Sequence, residues 1–173
     1  MMISGRKGRD MTAAPVTEAK AGDDASAEHG GRQVLVVGMD GSDPSWDAFA
    51  WAAGEAQRCG GRIIAVFVAP LVEPEAALSI GAPYNYQAAV EARDQMAEEL
   101  AGEVARRADE LGVEVSFVRE KGDAAHVLTE VARFEHADLI AVGRSAKMLH
   151  RLAGSVSRRL VLSRDLPVIV VVP

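Results

Sequence analysis

From residue 33 onward, short apolar runs alternate with stretches of helical period, and that alternation restricts the possible folds more than any other feature of the chain. The runs "QVLVVGM" (33–39), "RIIAVFVAP" (62–70), "VEVSFVRE" (113–120), "ADLIAVG" (137–143) and "PVIVVV" (167–172) are rich in β-branched residues, as strands are. The first helical stretch, "SWDAFAWAAGEAQRCGG", places Trp46, Phe49, Ala50, Ala53 and Ala56 on one wide face, with Asp43 as its expected cap, Pro44 as its first residue and Gly60-Gly61 as its stop. A long helix is expected from about Gln87 to Leu111, its apolar stripe being Met96, Leu100, Val104, Ala108 and Leu111. "GDAAHVLTEVARFEH" (122–136) reads as a third helix capped by Asp123 and burying Ala125, Leu128, Val131 and Ala132, and "GSVSRRLVLSR" (154–164) as a fourth. Five strands joined by crossovers of this length form a parallel sheet with right-handed connections. Because most strands are apolar on both faces, helices must cover both sides. The expected class is α/β, an open parallel sheet with helices on both faces.

The chain has 173 residues, 49% of them hydrophobic, enough for one core. Residues 1–32 have few bulky apolar side chains and five basic against five acidic residues. They are expected to be a disordered tail ahead of a domain at 33–173, with Met11 as an alternative start. Residues 71–85, rich in Pro, Gly and small residues, read as an irregular excursion, with Tyr84 and Tyr86 either anchoring it or lining a pocket. The net charge of −6 argues against nucleic acid as a partner. Cys59 is the only cysteine, so no intrachain disulfide forms, and a reducing cytoplasm fits. The apolar runs fall short of the roughly 20 residues that span a bilayer, so no membrane is expected.

In open parallel sheets a ligand sits beyond the carboxyl ends of the strands, where connections leave for opposite faces. That singles out the loops "MDGSDP" (39–44) and "GRSAKMLHRLAGS" (143–155). In the second, Gly143 and Gly154 permit close backbone approach, and the helix expected to open at Gly154-Ser155 presents free N–H groups. Between residues 143 and 164 stand Arg144, Lys147, Arg151, Arg158, Arg159 and Arg164 without a carboxylate. This is a positive island in an acidic protein, suited to phosphate. Asp40 fits either a ligand role or a turn that closes the first strand. Ser155 reads as a helix-start residue, since no His–Asp pairing accompanies it, and no catalytic residue is assigned. His29, His126, His136 and His150 have no metal-ligand spacing to one another, and no metal site is expected from them.

These segments together resemble the universal stress protein family. The resemblance covers residues 33–173 and rests on "VLVVGMDGS", the "GD" before the third helix, "HADLIAVG" and the ending "GSVSRRL…LPVIVVVP". It implies a Rossmann-like sheet of the adenine nucleotide alpha hydrolase type, with strand order 3-2-1-4-5 and homodimers paired through the C-terminal strand. In one branch it also implies ATP, with or without Mg²⁺, held between the first and fourth strand ends. Carried over, Asp40 would lie beside the nucleoside or its metal ion and Val68 would offer backbone groups to the adenine edge. Gly143, Arg144, Gly154 and Ser155 would meet the phosphates. The chain departs from that branch at Ala146, where a second glycine is expected, and in having only seven residues, 147–153, before Gly154-Ser155 where nine are expected. The reading is a cytoplasmic regulatory module that binds an adenine nucleotide. The alternatives are a dimeric interaction protein of the same fold without nucleotide, and then a slow ATPase, which lacks a recognisable general base or Walker lysine.

Overall fold

The computed structural model describes residues 32–70, 83–144, 156–163 and 167–173. The elements alternate throughout: β1 (Val34–Met39), α1 (Asp43–Cys59), β2 (Arg62–Ala69), α2 (Pro83–Leu111), β3 (Glu114–Lys121), α3 (Ala124–Phe134), β4 (Leu139–Gly143), α4 (Val156–Val161) and β5 (Val168–Val172). All neighbouring strands are parallel, in the order β3-β2-β1-β4-β5. The α/β class and the strand order implied by the resemblance both hold.

Side chains alternate across a strand, and here the alternation divides the core in two. Leu35, Val37, Met39, Ile63, Ala65 and Phe67 point to one face, where α1 and α2 cover them. Val34, Val36, Ile64, Val66, Ile140 and Val142 point to the other, where α3 and α4 lie. β1 and, after Arg62, β2 carry no polar side chain because both sets must be buried.

Several local expectations are corrected. The cap of α1 is Ser42, extended at φ −75° and ψ 156°, so Asp43 is the first helical residue and Pro44 follows it. The Ser42 carbonyl accepts from the Ser45 and Trp46 amides at 3.0 and 3.1 Å, which starts the helix one residue earlier than expected. The buried face of α1 is Ser45, Ala48, Phe49, Ala52, Ala53 and Ala56; Ala50 is exposed and Trp46 half-buried. Trp46 instead lies between Phe49, edge-on at 5.8 Å, and the Arg107 guanidinium, 4.0 Å from its ring centre. Helix α2 begins at Pro83, four residues earlier than expected, with proline where its missing N–H is harmless. Tyr84 and Tyr86 are therefore helical, though their side chains, like residues 71–82, lie outside the described residues. Leu100, Val104 and Ala108 are buried, joined by Ala97, whereas Met96 and Leu111 are exposed. At about 1.5 Å per residue, the 29 residues of α2 span a greater length than the eight residues of β3. In α3, Thr129 is buried and Val131 only partly so; the Thr129 hydroxyl donates to the Ala125 carbonyl at 2.8 Å. Helix α4 is shorter than expected, and Gly154, Ser155 and Arg164 lie outside the described residues, as do residues 1–31.

The lower ends of β1 and β4 are pinned by "HAD". Helix α3 stops with His136 left-handed at φ 51°, while the Ala137 amide donates to Ala132 at 2.8 Å, the pattern that ends many helices on a glycine. The chain then turns so that the Asp138 carboxylate accepts the Val34 amide at 2.8 Å and the Asp138 amide donates to the Val34 carbonyl at 2.9 Å.

Candidate functional site

Because α1 and α2 lie on one face and α3 and α4 on the other, the chain leaves β1 and its neighbour β4 in opposite directions. Their carboxyl ends therefore border the crevice of the sheet. The register aligns the rim. β1 meets β2 as far as Met39↔Phe67 and β4 as far as Val37↔Ala141. The next residues along are Asp40, just past β1, and Val68 on β2, with Arg144 just past the end of β4. Four of the six expected residues, Asp40, Val68, Gly143 and Arg144, are thus brought to one edge; Gly154 and Ser155 lie outside the described residues, together with Ala146 and His150.

Asp40 closes a turn. Its Oδ1 accepts from the Ser42 amide at 3.0 Å and from the Ser42 hydroxyl, with Gly41 at φ 78° between them. Partial burial alone would raise the Asp40 carboxyl, but the Ser42 hydroxyl and amide, helped by Ser45, outweigh it and hold the pKa below 3.8. The side chain is consequently an ionised acceptor at neutral pH, at the centre of the rim. The D-G-S spelling is the sequence signal for this turn; that Ser45 joins it is legible only in the fold.

Gly143 is placed by packing. A Cβ there would lie far inside van der Waals contact with the Pro44 carbonyl and 2.7 Å from the Pro44 Cβ. The end of β4 therefore runs directly against the first turn of α1. Beyond it, the Arg144 amide donates to the Val172 carbonyl at 2.8 Å, extending the ladder to β5, while its side chain is exposed. Val68 is half-buried, packed on the α3 side, one residue past the last β1–β2 pair.

The positive island is smaller in three dimensions than in sequence. Arg159 of α4 pairs with the Asp123 carboxylate, which also caps α3 by accepting the His126 amide at 3.0 Å. The pair joins residues 36 apart, so no local pattern announces it. The Arg159 hydrogen bond, then that of the His126 amide, holds the Asp123 carboxyl below its ordinary 3.8. A lowered folded-state value means that its stabilisation is complete above the unfolded value and disappears as the pH falls through the folded one. Asp123→Ala is expected to cost about 1 kcal/mol near neutral pH, chiefly through the lost cap. The gap between variant and wild type should close below pH 3.8, as followed by urea unfolding at a series of pH values.

Residues 31–172 match the family model described as the universal stress protein family. The chain belongs to that family. A universal stress protein of Methanocaldococcus jannaschii is 30% identical over 139 residues, covering 79% of this chain and 80% of the relative. Among solved structures, a universal stress protein family member from Burkholderia pseudomallei superposes with a TM-score of 0.66 at 22% identity, covering 83% of this chain and 98% of that one. A universal stress protein family protein of Arabidopsis thaliana with AMP bound superposes with a TM-score of 0.59 at 16% identity, covering 82% and 92%. At such identities the structural likenesses establish the universal stress protein fold. Among the described residues, no helix is long and apolar enough to cross a membrane.

Proposed function

We propose that this universal stress protein is a cytoplasmic regulatory module that binds an adenine nucleotide, ATP in the first instance, at the carboxyl ends of β1 and β4. The observation that carries this reading is that Val68, Asp40 and Arg144 stand at the carboxyl ends of the adjacent strands β2, β1 and β4, at the switch point, with Asp40 ionised. An ionised carboxylate repels phosphate but accepts hydrogen bonds from ribose hydroxyls or ligates Mg²⁺. Asp40 is therefore assigned to the nucleoside side or to the metal ion. Val68 offers backbone groups to the base beyond the end of the β1 ladder. Arg144, Gly143, Gly154 and Ser155 are assigned to the phosphates. The AMP bound by the Arabidopsis relative supports the ligand class. The output is a change of partner contact, without chemical turnover.

Denaturing the purified full-length chain should release an adenine nucleotide detectable by mass spectrometry, and titration with ATP and Mg²⁺ should give heat. Gly154→Val is expected to abolish binding, and Arg144→Glu to weaken it in a salt-sensitive manner. No released nucleotide and no heat would reject the proposal. They would favour a dimeric interaction protein of the same fold, a reading supported by the short 143–155 loop, by Ala146 and by the engagement of Arg159 with Asp123.

The homodimer is proposed to form through β5. This strand pairs with β4 on one side, lies at the end of the sheet and leaves Val168 66% exposed. An uncovered apolar edge strand invites pairing. Sedimentation at micromolar concentration should give a dimer, and Val168→Lys should shift it toward monomer.

A further inference from the structure

The core-facing stripe of α2 climbs from Ala108 to Val104 to Leu100 in steps of four, and all three are buried. One more step gives Met96, on the same helix face, and it is 44% exposed. The core takes the adjacent Ala97, 1% exposed, at this level of the helix, which leaves the Met96 side chain on the flank of the stripe and partly open. Its surroundings on the other side are those of the rim. The Met96 Cε lies 3.3 Å from where a Gly41 Cβ would be, which places the thioether against the residue that follows Asp40. Two residues earlier, Asp94 is ion-paired with Arg119, whose partner in the β2–β3 ladder is Phe67. The α2 turn from Asp94 to Met96 therefore reaches from β3 to the loop leaving β1. Between those strands, in sheet order, lies β2, carrying Val68 just above Phe67. Gln95, Glu98 and Glu99 around it are exposed and polar; Met96 is the large apolar side chain of this turn.

We infer that Met96 is a specificity-determining residue that forms the apolar wall of the nucleoside half of the site, packing against the purine or ribose next to Asp40 and Val68. This rests on the nucleotide reading above. A methionine suits the position because its flexible, polarisable thioether adapts to an aromatic face and gains from sulfur–aromatic contact. Its contribution falls on the part of the ligand common to ATP and AMP, whereas Arg144 acts on the phosphates.

The test is calorimetric titration of the full-length chain with ATP and with AMP, for wild type, Met96→Ala and Met96→Leu, with Tm recorded for each. Met96→Ala is expected to weaken both ligands by the same factor, about fivefold, at unchanged Tm, and Met96→Leu to recover most of the loss. A wild type that binds neither ligand overturns the nucleotide reading and this inference with it. A wild type that binds, with Met96→Ala indistinguishable from it or losing affinity for ATP alone, overturns this inference and leaves the nucleotide reading standing.

Discussion

Replacing Gly143 by alanine is expected to destabilise the fold by about 3 kcal/mol or more, the upper range for forcing an added methyl group into a filled site. The obstacle is backbone. The new Cβ would meet the Pro44 carbonyl carbon and oxygen, which cannot rotate aside as a side chain does, and the Pro44 Cβ at 2.7 Å. Gly143 is not among the residues with positive φ, so the loss is spatial and owes nothing to left-handed strain. Urea unfolding should show a lower midpoint with an unchanged slope. Gly102 on exposed α2 is the control: nothing lies within 4 Å of its hypothetical Cβ, and the same change there should raise stability by about 1 kcal/mol, the helix-propensity difference. Equal midpoints for the two variants would mean that β4 and α1 do not meet as described.

Phe49→Ala is expected to cost about 3–5 kcal/mol, as truncation of a fully buried aromatic does. Phe49 is 1% exposed, packs among the β1, β2 and α1 side chains of the larger core half, and meets Trp46 edge-on at an interplanar angle of 82°. The substitution removes that ring contact and leaves a cavity under the middle of α1. Thermal and urea unfolding should both report it, with tryptophan fluorescence changed in the folded state because Trp46 loses its neighbour. A loss below about 1 kcal/mol would contradict the burial and the packing. Phe49 and Gly143 hold the same helix, the first by filling space and the second by leaving it empty.

The alternation of apolar runs and helical periods carries the α/β class because the central runs of β1, β2 and β4 are too apolar to tolerate one wet face, which requires helices on both sides. The order of the strands came from the family resemblance, since nothing local in "VLVVGM" says that its neighbours are Ile63 and Leu139. Asp123 was legible as a cap from its place before an apolar helical period. Ser42 and Asp43 are both good caps by residue type; what decides between them is the extended backbone at Ser42 and its carbonyl bonds to Ser45 and Trp46. Ala50 is not legible as exposed because a helix dotted with alanines has no sharp apolar boundary, and the sheet chooses Ala48 and Ala52 instead. Met96 continues the steps of four, but the core takes its neighbour Ala97 instead. At the site, Asp40 is legible from its place after the first strand, whereas Val68 comes only from the family resemblance. The role of Gly143 against Pro44 and the pairing of Arg159 with Asp123 were hidden because each joins elements remote in sequence.

The contact of Gly143 with Pro44 also removes slack from the upper rim. One residue past that glycine, the Arg144 amide is tied to Val172 on the outermost strand, so the turn at Asp40, the start of α1, the tip of β4 and the margin of the sheet are linked end to end without a hinge between them. A guest that wedged the α1 turn outward would free the tip of β4, and one that clasped the turn would hold the margin still.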